Sequence, residues 1–261
     1  MRELTFGYSP CPNDTFAFHA LTFGLIDTPV RIAPVLLDIE ELNRRAHDGE
    51  FGLTKLSVGA FAAVGNGYRL LRSGAALGHG VGPLVVTRTP MSLADAVSGR
   101  VAIPGRETTA YRLLRLAAPQ LDEVVEMRYD RILHAVSSGD VQAGLIIHES
   151  RFTYAEHGLH QAIDLGDWWE RETNLPVPLA GICARADIDA NTAAEIERAI
   201  RASVQYAFDH PEASRDYVRA HAQEMSDAVC AQHIALYVNA HSLDIGDDGM
   251  RAIARLVSDA R

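Results

Sequence analysis

The sequence predicts an α/β protein with two similar lobes, and three observations support this prediction. Short apolar runs that suit buried strands alternate with segments whose apolar residues recur at helical spacing. Patterns of strand, loop and helix from the first third of the chain return in the middle third. The chain beyond the last predicted strand is helical in pattern. At 261 residues, the protein is long enough to bury a large hydrophobic core.

Six apolar runs have the length and composition of β-strands. Turn residues bound these runs and helical patterns separate them, which favours largely parallel sheets. The predicted strands are residues 4–8, 51–55, 84–87, 100–103, 143–147 and 179–184.

The helix predictions rest on apolar spacing and on residues that begin or end helices. Apolar side chains recur through residues 14–23, and Gly24 is a suitable C-terminal cap. Towards the C-terminus, helices are predicted to begin at a capping box on Thr192, at Pro211 and after Ser226. We expect these C-terminal helices to complete the first lobe.

Three pairs of similar segments define the predicted lobes. Residues 46–57 resemble 136–149, residues 4–16 resemble 101–117, and residues 82–88 resemble 177–185. The third pair is interpreted as two strands that cross between the lobes. We therefore predict a first lobe of residues 1–87 with 179–261, and a second lobe of residues 88–178.

The charge and composition exclude several classes of partner. Lys plus Arg number 24 against 34 Asp plus Glu, and the net charge of −10 repels phosphate backbones and anionic lipids. No apolar run approaches the ~20 residues of a transmembrane helix. We therefore expect neither a nucleic acid nor a membrane as partner. The N-terminus enters the first strand without the features of a secretion signal, which predicts a cytoplasmic protein.

The cysteines and two of the histidines give weak signals. Cys11, Cys183 and Cys230 are odd in number and lack CxxC spacing, which supports neither a disulfide framework nor a zinc site. We expect packed thiols, with a nucleophilic Cys11 as the less favoured alternative. His157 and His160 have a possible metal-ligand spacing, but their loop context favours solvent exposure, and we predict no metal. The sequence also lacks the motifs of nucleotide, dinucleotide, zinc-protease and serine-hydrolase chemistry.

Polar residues follow four of the predicted strands. Ligands of parallel sheets bind beyond the carboxyl ends of the strands, so we expect these residues to face one cleft between the lobes. Their hydroxyl groups and the amides at the following helix starts suit a small carboxylate. For each hydroxyl alone, the alternative is that it merely caps a helix. The candidate binding residues are Ser9 and Asn13 of the loop SPCPNDTF, Lys55, Leu56, Ser57, Thr108 and Thr109.

His148 is the candidate catalytic residue. It follows the apolar run 144–147, at the point where a buried strand ends. A histidine with an ordinary pKa near 6.5 can move protons at neutral pH. A histidine bonded to a backbone carbonyl is an equally supported interpretation. Glu149 could orient His148, but adjacent strand residues point to opposite faces, so we expect Glu149 to be exposed to solvent.

Five segments together resemble the 1,4-dihydroxy-6-naphthoate synthases of the futalosine route to menaquinone. They are GYSPCPNDTF, TKLSVGAF, GRETTAYRLL, AGLIIHESRFTY and YVNAHSLDIGDDG, and the resemblance covers nearly the whole chain. It implies a type 2 periplasmic-binding-protein fold, α/β and two-lobed with an interlobe cleft, used as a cytoplasmic enzyme. It also implies a lyase reaction without a cofactor. Cyclic dehypoxanthine futalosine would be split to 1,4-dihydroxy-6-naphthoate and a three-carbon dihydroxyacetone fragment.

The resemblance assigns roles to residues already selected above. The general base of the family falls on His148, and its substrate-contacting segments fall on Lys55-Leu56-Ser57 and on Thr108-Thr109. Two alternatives share the fold: a solute-binding protein for small carboxylates, and the chorismate dehydratase of the same pathway. The histidine at the cleft and the missing secretion signal argue against the first. The loop SPCPNDTF argues against the second.

Overall fold

The computed structural model describes residues 3–223 and 226–258, and it has an α/β fold with two sheets. The strands in these ranges are β1 (Glu3–Tyr8), β2 (Arg31–Leu36), β3 (Leu53–Ser57), β4 (Tyr68–Leu70), β5 (Ala76–Gly78), β6 (Leu84–Thr87), β7 (Val101–Ile103), β8 (Val124–Glu126), β9 (Ala143–Ile146), β10 (His160–Asp164) and β11 (Val177–Arg185). Each of the six predicted strands is therefore confirmed, with bounds that differ by a few residues.

The α-helices in the same ranges vary from one turn to more than five turns. They are α1 (Pro12–Ala17), α2 (His19–Thr22), α3 (Ile39–Ala46), α4 (Val58–Val64), α5 (Leu93–Ala96), α6 (Thr109–Ala117), α7 (Ile132–Ser138), α8 (Ser150–Thr153), α9 (Leu165–Thr173), α10 (Ala190–Asp209), α11 (Arg215–His221), α12 (Asp227–Tyr237), α13 (Ala240–Leu243) and α14 (Gly246–Ser258). None of the helices in the described ranges has the length and apolar character needed to cross a membrane.

The first compact unit combines the chain up to Gly78 with the chain from Pro178 onward. Its sheet has the order β2-β1-β3-β11-β4, and β5 pairs with β11. Strand β1 runs parallel to β2 and β3, whereas β11 runs antiparallel to β3 and β4. The late strand β11 therefore lies inside a sheet that otherwise comes from the first part of the chain.

The second compact unit is the continuous segment His79–Val177. Its sheet has the order β10-β6-β9-β7-β8, in which β7 is parallel to β8 and β9, and β6 is antiparallel to β9 and β10. Residues 84–87 are predicted to belong to the first lobe, but they form β6, which pairs within the second sheet. The prediction of largely parallel sheets is wrong for β6 and β11, because apolar patterning marks a strand without fixing its direction.

The predicted helix 14–23 is interrupted at Phe18. The Ser203 hydroxyl of α10 donates to the Ala17 carbonyl at 2.8 Å and accepts from the Leu21 amide at 3.1 Å. It thereby takes the place of the direct helical hydrogen bond between those two backbone groups, and an inserted side chain of this kind breaks a helix. The second helical segment, α2, is followed by Gly24, whose φ of +68° fits the predicted C-terminal cap.

The C-terminal helices begin only in part where the sequence predicts. Helix α10 begins earlier than predicted, because Asp189 caps it by accepting from the Thr192 amide at 3.0 Å. The capping box on Thr192 is therefore wrong. Pro211 opens a 3₁₀ turn before α11, and the Ser226 hydroxyl caps α12 by accepting from the Val229 amide, as predicted.

Aromatic and aliphatic side chains fill the core of each unit. In the first unit, the rings of Phe6, Tyr8 and Phe18 lie 4.9–5.3 Å apart, centre to centre. In the second unit, a methyl group added to Gly144 of β9 would lie within about 2.6 Å of Ile132 and Val136 on α7. The missing side chain at Gly144 lets α7 pack directly against the sheet.

A close backbone contact in the second unit leads to a stability prediction. The Leu165 amide donates to the Pro83 carbonyl at 3.0 Å, and a Cβ at Gly166 would lie 2.2 Å from the Val81 carbonyl oxygen. Gly166→Ala is therefore expected to destabilise the protein by about 1–3 kcal/mol, although alanine normally favours a helix over glycine. Thermal unfolding measures the loss. Gly67→Ala, where the nearest atom is 3.9 Å away, is the matched control, and equal midpoints for both variants would contradict the prediction.

Candidate functional site

The loop after β1 is folded onto its own polar groups. The Cys11 amide donates to the Ser9 hydroxyl at 3.1 Å, and the Ser9 amide donates to Asp14 at 3.1 Å. Pro12 is the first residue of α1, where its missing N–H costs no helical hydrogen bond. Ser9 and Asn13 are both buried. The two prolines thus lead into a short helix that is fixed by internal hydrogen bonds.

A buried ion pair joins this loop to the end of β3. The Lys55 ammonium group donates to Asp14, and the side chains are only 5% and 3% exposed. Burial raises the pKa of the Asp14 carboxyl, while Lys55 and hydrogen bonds from Ser9 and Asn13 act in the opposite direction. The positive charge of Lys55 is therefore already matched inside the protein. Lys55 is a residue predicted from the sequence, whereas its partner Asp14 is not.

A hydrogen-bonded chain extends the ion pair to α12. Asn13 Nδ2 donates to Asp14 at 2.8 Å, and Asn13 Oδ1 lies 2.9 Å from Nε2 of the buried His233. The amide nitrogen of Asn13 faces the carboxylate, so the amide oxygen of Asn13 faces His233. Because this oxygen can only accept, the hydrogen of the bond is carried by His233 Nε2. Asn13 therefore acts within the first unit as a link between α12 and the ion pair.

The other two candidates on β3 differ in role. Leu56 is buried in a cluster with Ala46, Tyr68 and Cys183, so its side chain belongs to the core. Ser57 ends the strand, and its hydroxyl does not cap α4. The Ser57 hydroxyl instead accepts from Asn43 Nδ2 at 3.0 Å, and the Ser57 amide donates to Asn43 Oδ1 at 2.9 Å.

In the second unit, the two threonines lie at the start of α6. The Thr108 hydroxyl accepts from the Tyr111 amide at 3.1 Å and donates to the Gly105 carbonyl at 2.8 Å. The capping interpretation is therefore confirmed for Thr108, and its side chain is engaged within the unit. Thr109 is the first residue of α6 and is buried.

His148 lies in a turn between β9 and α8 and has an unusual backbone conformation. Its φ is +56°, in the left-handed region that costs a non-glycine residue about 1–2 kcal/mol. The imidazole packs edge-on against the buried ring of Tyr129, with ring centres 4.8 Å apart. Strain of this kind is concentrated at functional sites, which makes His148 the strongest catalytic candidate of this unit.

The prediction for Glu149 is wrong. Its side chain is buried, and the residue is 5% exposed. The strand β9 ends at Ile146, so the alternation of a strand does not extend to residue 149. The turn at His148 directs the chain into α8 and places Glu149 in the interior of the protein.

The structure thus groups the candidates by unit. Ser9, Asn13 and Lys55 are connected through Asp14 in the first unit, and Ser57 follows Leu56 at the end of the same strand, β3. In the second unit, the start of α6 and the turn at His148 follow the parallel strands β7 and β9, so they lie at one edge of the sheet.

The residues with weak sequence signals have the expected surroundings. His157 and His160 are exposed. Cys11, Cys183 and Cys230 are buried, and burial raises the pKa of the Cys183 thiol. A thiol with a raised pKa is a poor nucleophile at neutral pH, so Cys183 is a packing residue.

Comparison with solved structures defines the class of fold. A Candida albicans protein with the generic periplasmic binding protein fold superposes with a TM-score of 0.73 at 16% identity, covering 100% of this chain and 90% of that protein. A crystal structure of a protein from Archaeoglobus fulgidus superposes with a TM-score of 0.93 at 36% identity, covering 99% of this chain and 97% of that one. The two α/β units therefore form a fold of the periplasmic-binding-protein class, as predicted.

The chain belongs to the menaquinone biosynthesis family, whose family model matches residues 4–261. A relative from Thermus thermophilus, named 1,4-dihydroxy-6-naphthoate synthase, is 55% identical over 260 residues, which cover 100% of this chain and 94% of the relative. The resemblance found in the sequence motifs is thereby confirmed.

Proposed function

We propose that this protein is a lyase that converts cyclic dehypoxanthine futalosine to 1,4-dihydroxy-6-naphthoate with release of a dihydroxyacetone fragment. The observation that carries the proposal is the full-length identity of 55% to the Thermus thermophilus synthase. Its substrate is a small molecule with a carboxylate on an aromatic ring. A binding protein and an enzyme can share this fold, so the assignment rests on the close relative and on the residues of the candidate site.

His148 is proposed as the general base. Removal of a ring proton from the substrate starts an eliminative, retro-aldol-like ring opening, and formation of the aromatic product drives the reaction forward. One well-placed base suffices for such a step. The turn after β9 and the contact with Tyr129 hold the imidazole in one place. A fixed base loses little entropy when it meets the substrate proton.

The polar groups at the strand ends are proposed to bind the substrate. Because Asp14 already matches the charge of Lys55, we assign carboxylate binding to neutral donors rather than to the Lys55 ammonium group. The Ser57 hydroxyl is one such donor. The Thr108 side chain is engaged in capping within its unit, and Thr109, the first residue of α6, is proposed as the binding residue of this helix start.

The test is turnover of purified protein with cyclic dehypoxanthine futalosine and no added cofactor, followed by chromatography of the naphthoate product. Product formation is the expected result. Tight binding of small carboxylates without turnover would favour a solute-binding protein instead. Conversion of chorismate in a parallel reaction would favour the dehydratase of the same pathway.

We also place the reaction in the cytoplasm. The three buried cysteines suit a reducing compartment, where free thiols persist. Cell fractionation tests this assignment, and recovery of the protein outside the cytosolic fraction would contradict it.

A further inference from the structure

Asn43 is a polar residue in the buried stripe of an amphipathic helix. Helix α3 packs on β3, and its buried positions include Ile39, Leu42 and Ala46 at helical spacing around Asn43. Asn43 is 0% exposed. A fully buried amide is retained only when its hydrogen bonds are made inside the protein, so its partners indicate its role.

The hydrogen bonds of Asn43 fix the orientation of its amide group. The Ser57 backbone N–H can only donate, and it donates to Asn43 Oδ1 at 2.9 Å. The amide nitrogen of Asn43 must then face the Ser57 hydroxyl, to which it donates at 3.0 Å. The same nitrogen lies 3.5 Å from Glu40 Oε2, a further acceptor that favours this orientation.

This orientation also leaves the Ser57 hydroxyl hydrogen available for donation to another group. Its oxygen accepts from Asn43, so its hydrogen points elsewhere. Within residues 3–223 and 226–258, no group accepts that hydrogen, and the hydroxyl does not cap α4. Ser57 is buried and lies at the carboxyl end of β3, where ligands of α/β sheets bind.

We propose that Asn43 is a positioning residue that holds the Ser57 hydroxyl as a hydrogen-bond donor for the carboxylate of the substrate. The proposal rests on the proposed function for the identity of the ligand. A hydroxyl fixed as a donor favours carboxylate oxygens over ligand groups that donate hydrogen bonds, such as amides or ammonium groups. Asn43 thereby contributes to the specificity for an anionic substrate without touching it.

The decisive variant reverses the polarity of Asn43 while keeping its size. In Asn43→Asp, one oxygen still accepts from the Ser57 amide, but the second becomes an acceptor and turns the Ser57 hydrogen towards itself. Glu40 would then face a second carboxylate, so the test variant is Glu40→Gln/Asn43→Asp. This pair keeps the net charge and supplies a donor beside the new carboxylate. Glu40→Gln alone controls for the loss of the Glu40 carboxylate, and the wild-type protein, which has the same net charge as the pair, controls for charge.

The first readout is binding of 1,4-dihydroxy-6-naphthoate, measured by calorimetry. We expect Glu40→Gln/Asn43→Asp to bind it about 10- to 100-fold more weakly than Glu40→Gln, because a hydrogen bond to a charged group is lost. In turnover, KM is expected to rise by a similar factor with little change in kcat. Ser57→Ala is expected to weaken binding in the wild-type protein, but by less than about twofold in the Glu40→Gln/Asn43→Asp background.

Two outcomes would overturn the proposal in variants that keep the wild-type thermal midpoint. Equal affinity of Glu40→Gln/Asn43→Asp and Glu40→Gln would show that Asn43 only anchors α3 to β3. If Ser57→Ala weakens binding by the same factor in the wild-type protein and in the Glu40→Gln/Asn43→Asp background, the two residues act separately. If the wild-type protein binds the naphthoate but turns nothing over, the proposed function fails while the role of Asn43 stands. If the wild-type protein does not bind the naphthoate, both fail.

Discussion

Replacement of His148 by alanine is expected to lower kcat by about 10²- to 10⁴-fold, the usual contribution of a general base. The reason is chemical: the proton on the substrate ring loses its acceptor, while the groups at Ser57 and Thr109 that we assign to substrate binding remain. KM is therefore expected to change much less than kcat. Steady-state turnover of cyclic dehypoxanthine futalosine, followed by chromatography of the product, measures both parameters.

The backbone conformation of His148 calls for a second variant. Asparagine tolerates the left-handed region better than alanine, so His148→Asn keeps the turn at φ +56° but cannot act as a base. Both variants should lose activity to a similar extent. His160→Ala changes an exposed histidine of the same unit and serves as the control. Wild-type turnover in either His148 variant would refute the assignment.

Asp14→Ala is expected to destabilise the protein by about 3–5 kcal/mol, because it leaves the Lys55 ammonium group buried without its carboxylate. Both charged groups lose their hydration on burial, and their mutual attraction offsets this cost only in part. Removing both charges should therefore cost much less than removing one. Urea unfolding of Asp14→Ala, and of Asp14→Ala combined with Lys55→Met, measures the difference.

Comparison of Asp14→Ala with the double variant Asp14→Ala/Lys55→Met identifies the cause of the stability loss. Greater stability of the double variant than of Asp14→Ala would identify the unpaired charge as the cause. Equal loss in both would instead point to the hydrogen bonds that Asp14 accepts from Ser9 and Asn13. A loss below about 1 kcal/mol in Asp14→Ala would contradict the prediction, since that is the range of an exposed ion pair.

The fold could be predicted from the sequence where the strands are long and apolar. Strands β4, β5 and β8, which the sequence does not predict, have three residues each, too few to show a period. Strand β7 is equally short, but a fully buried apolar run marks it. Strand β2 was missed as well, since Pro34 interrupts its pattern and only part of it is buried. The break of the first helix depends on Ser203, which is distant in sequence from Ala17. Local patterns carry no information on such contacts.

The candidate site shows the same division between local and distant information. The ends of β1, β3, β7 and β9 could be selected because each strand is followed by polar residues. The partners of these residues could not be predicted from the sequence, because Asp14 contacts Lys55, and Asn43 contacts Ser57, only in the folded chain. For Asn43 a signal existed: a polar residue occupies the apolar stripe of α3. The positive φ of His148 had no signal in the sequence.

The position of β11 has a consequence for protein synthesis. This strand lies between β3 and β4, although the ribosome makes it after the whole second unit. At about 5–20 residues per second, the roughly one hundred residues of that unit take about 5–20 s to translate. The nascent first sheet must wait through this interval with the edge of β3 unpaired, whereas the second unit has all its strands as soon as it emerges. The part of the protein that is made first is therefore the part that is completed last.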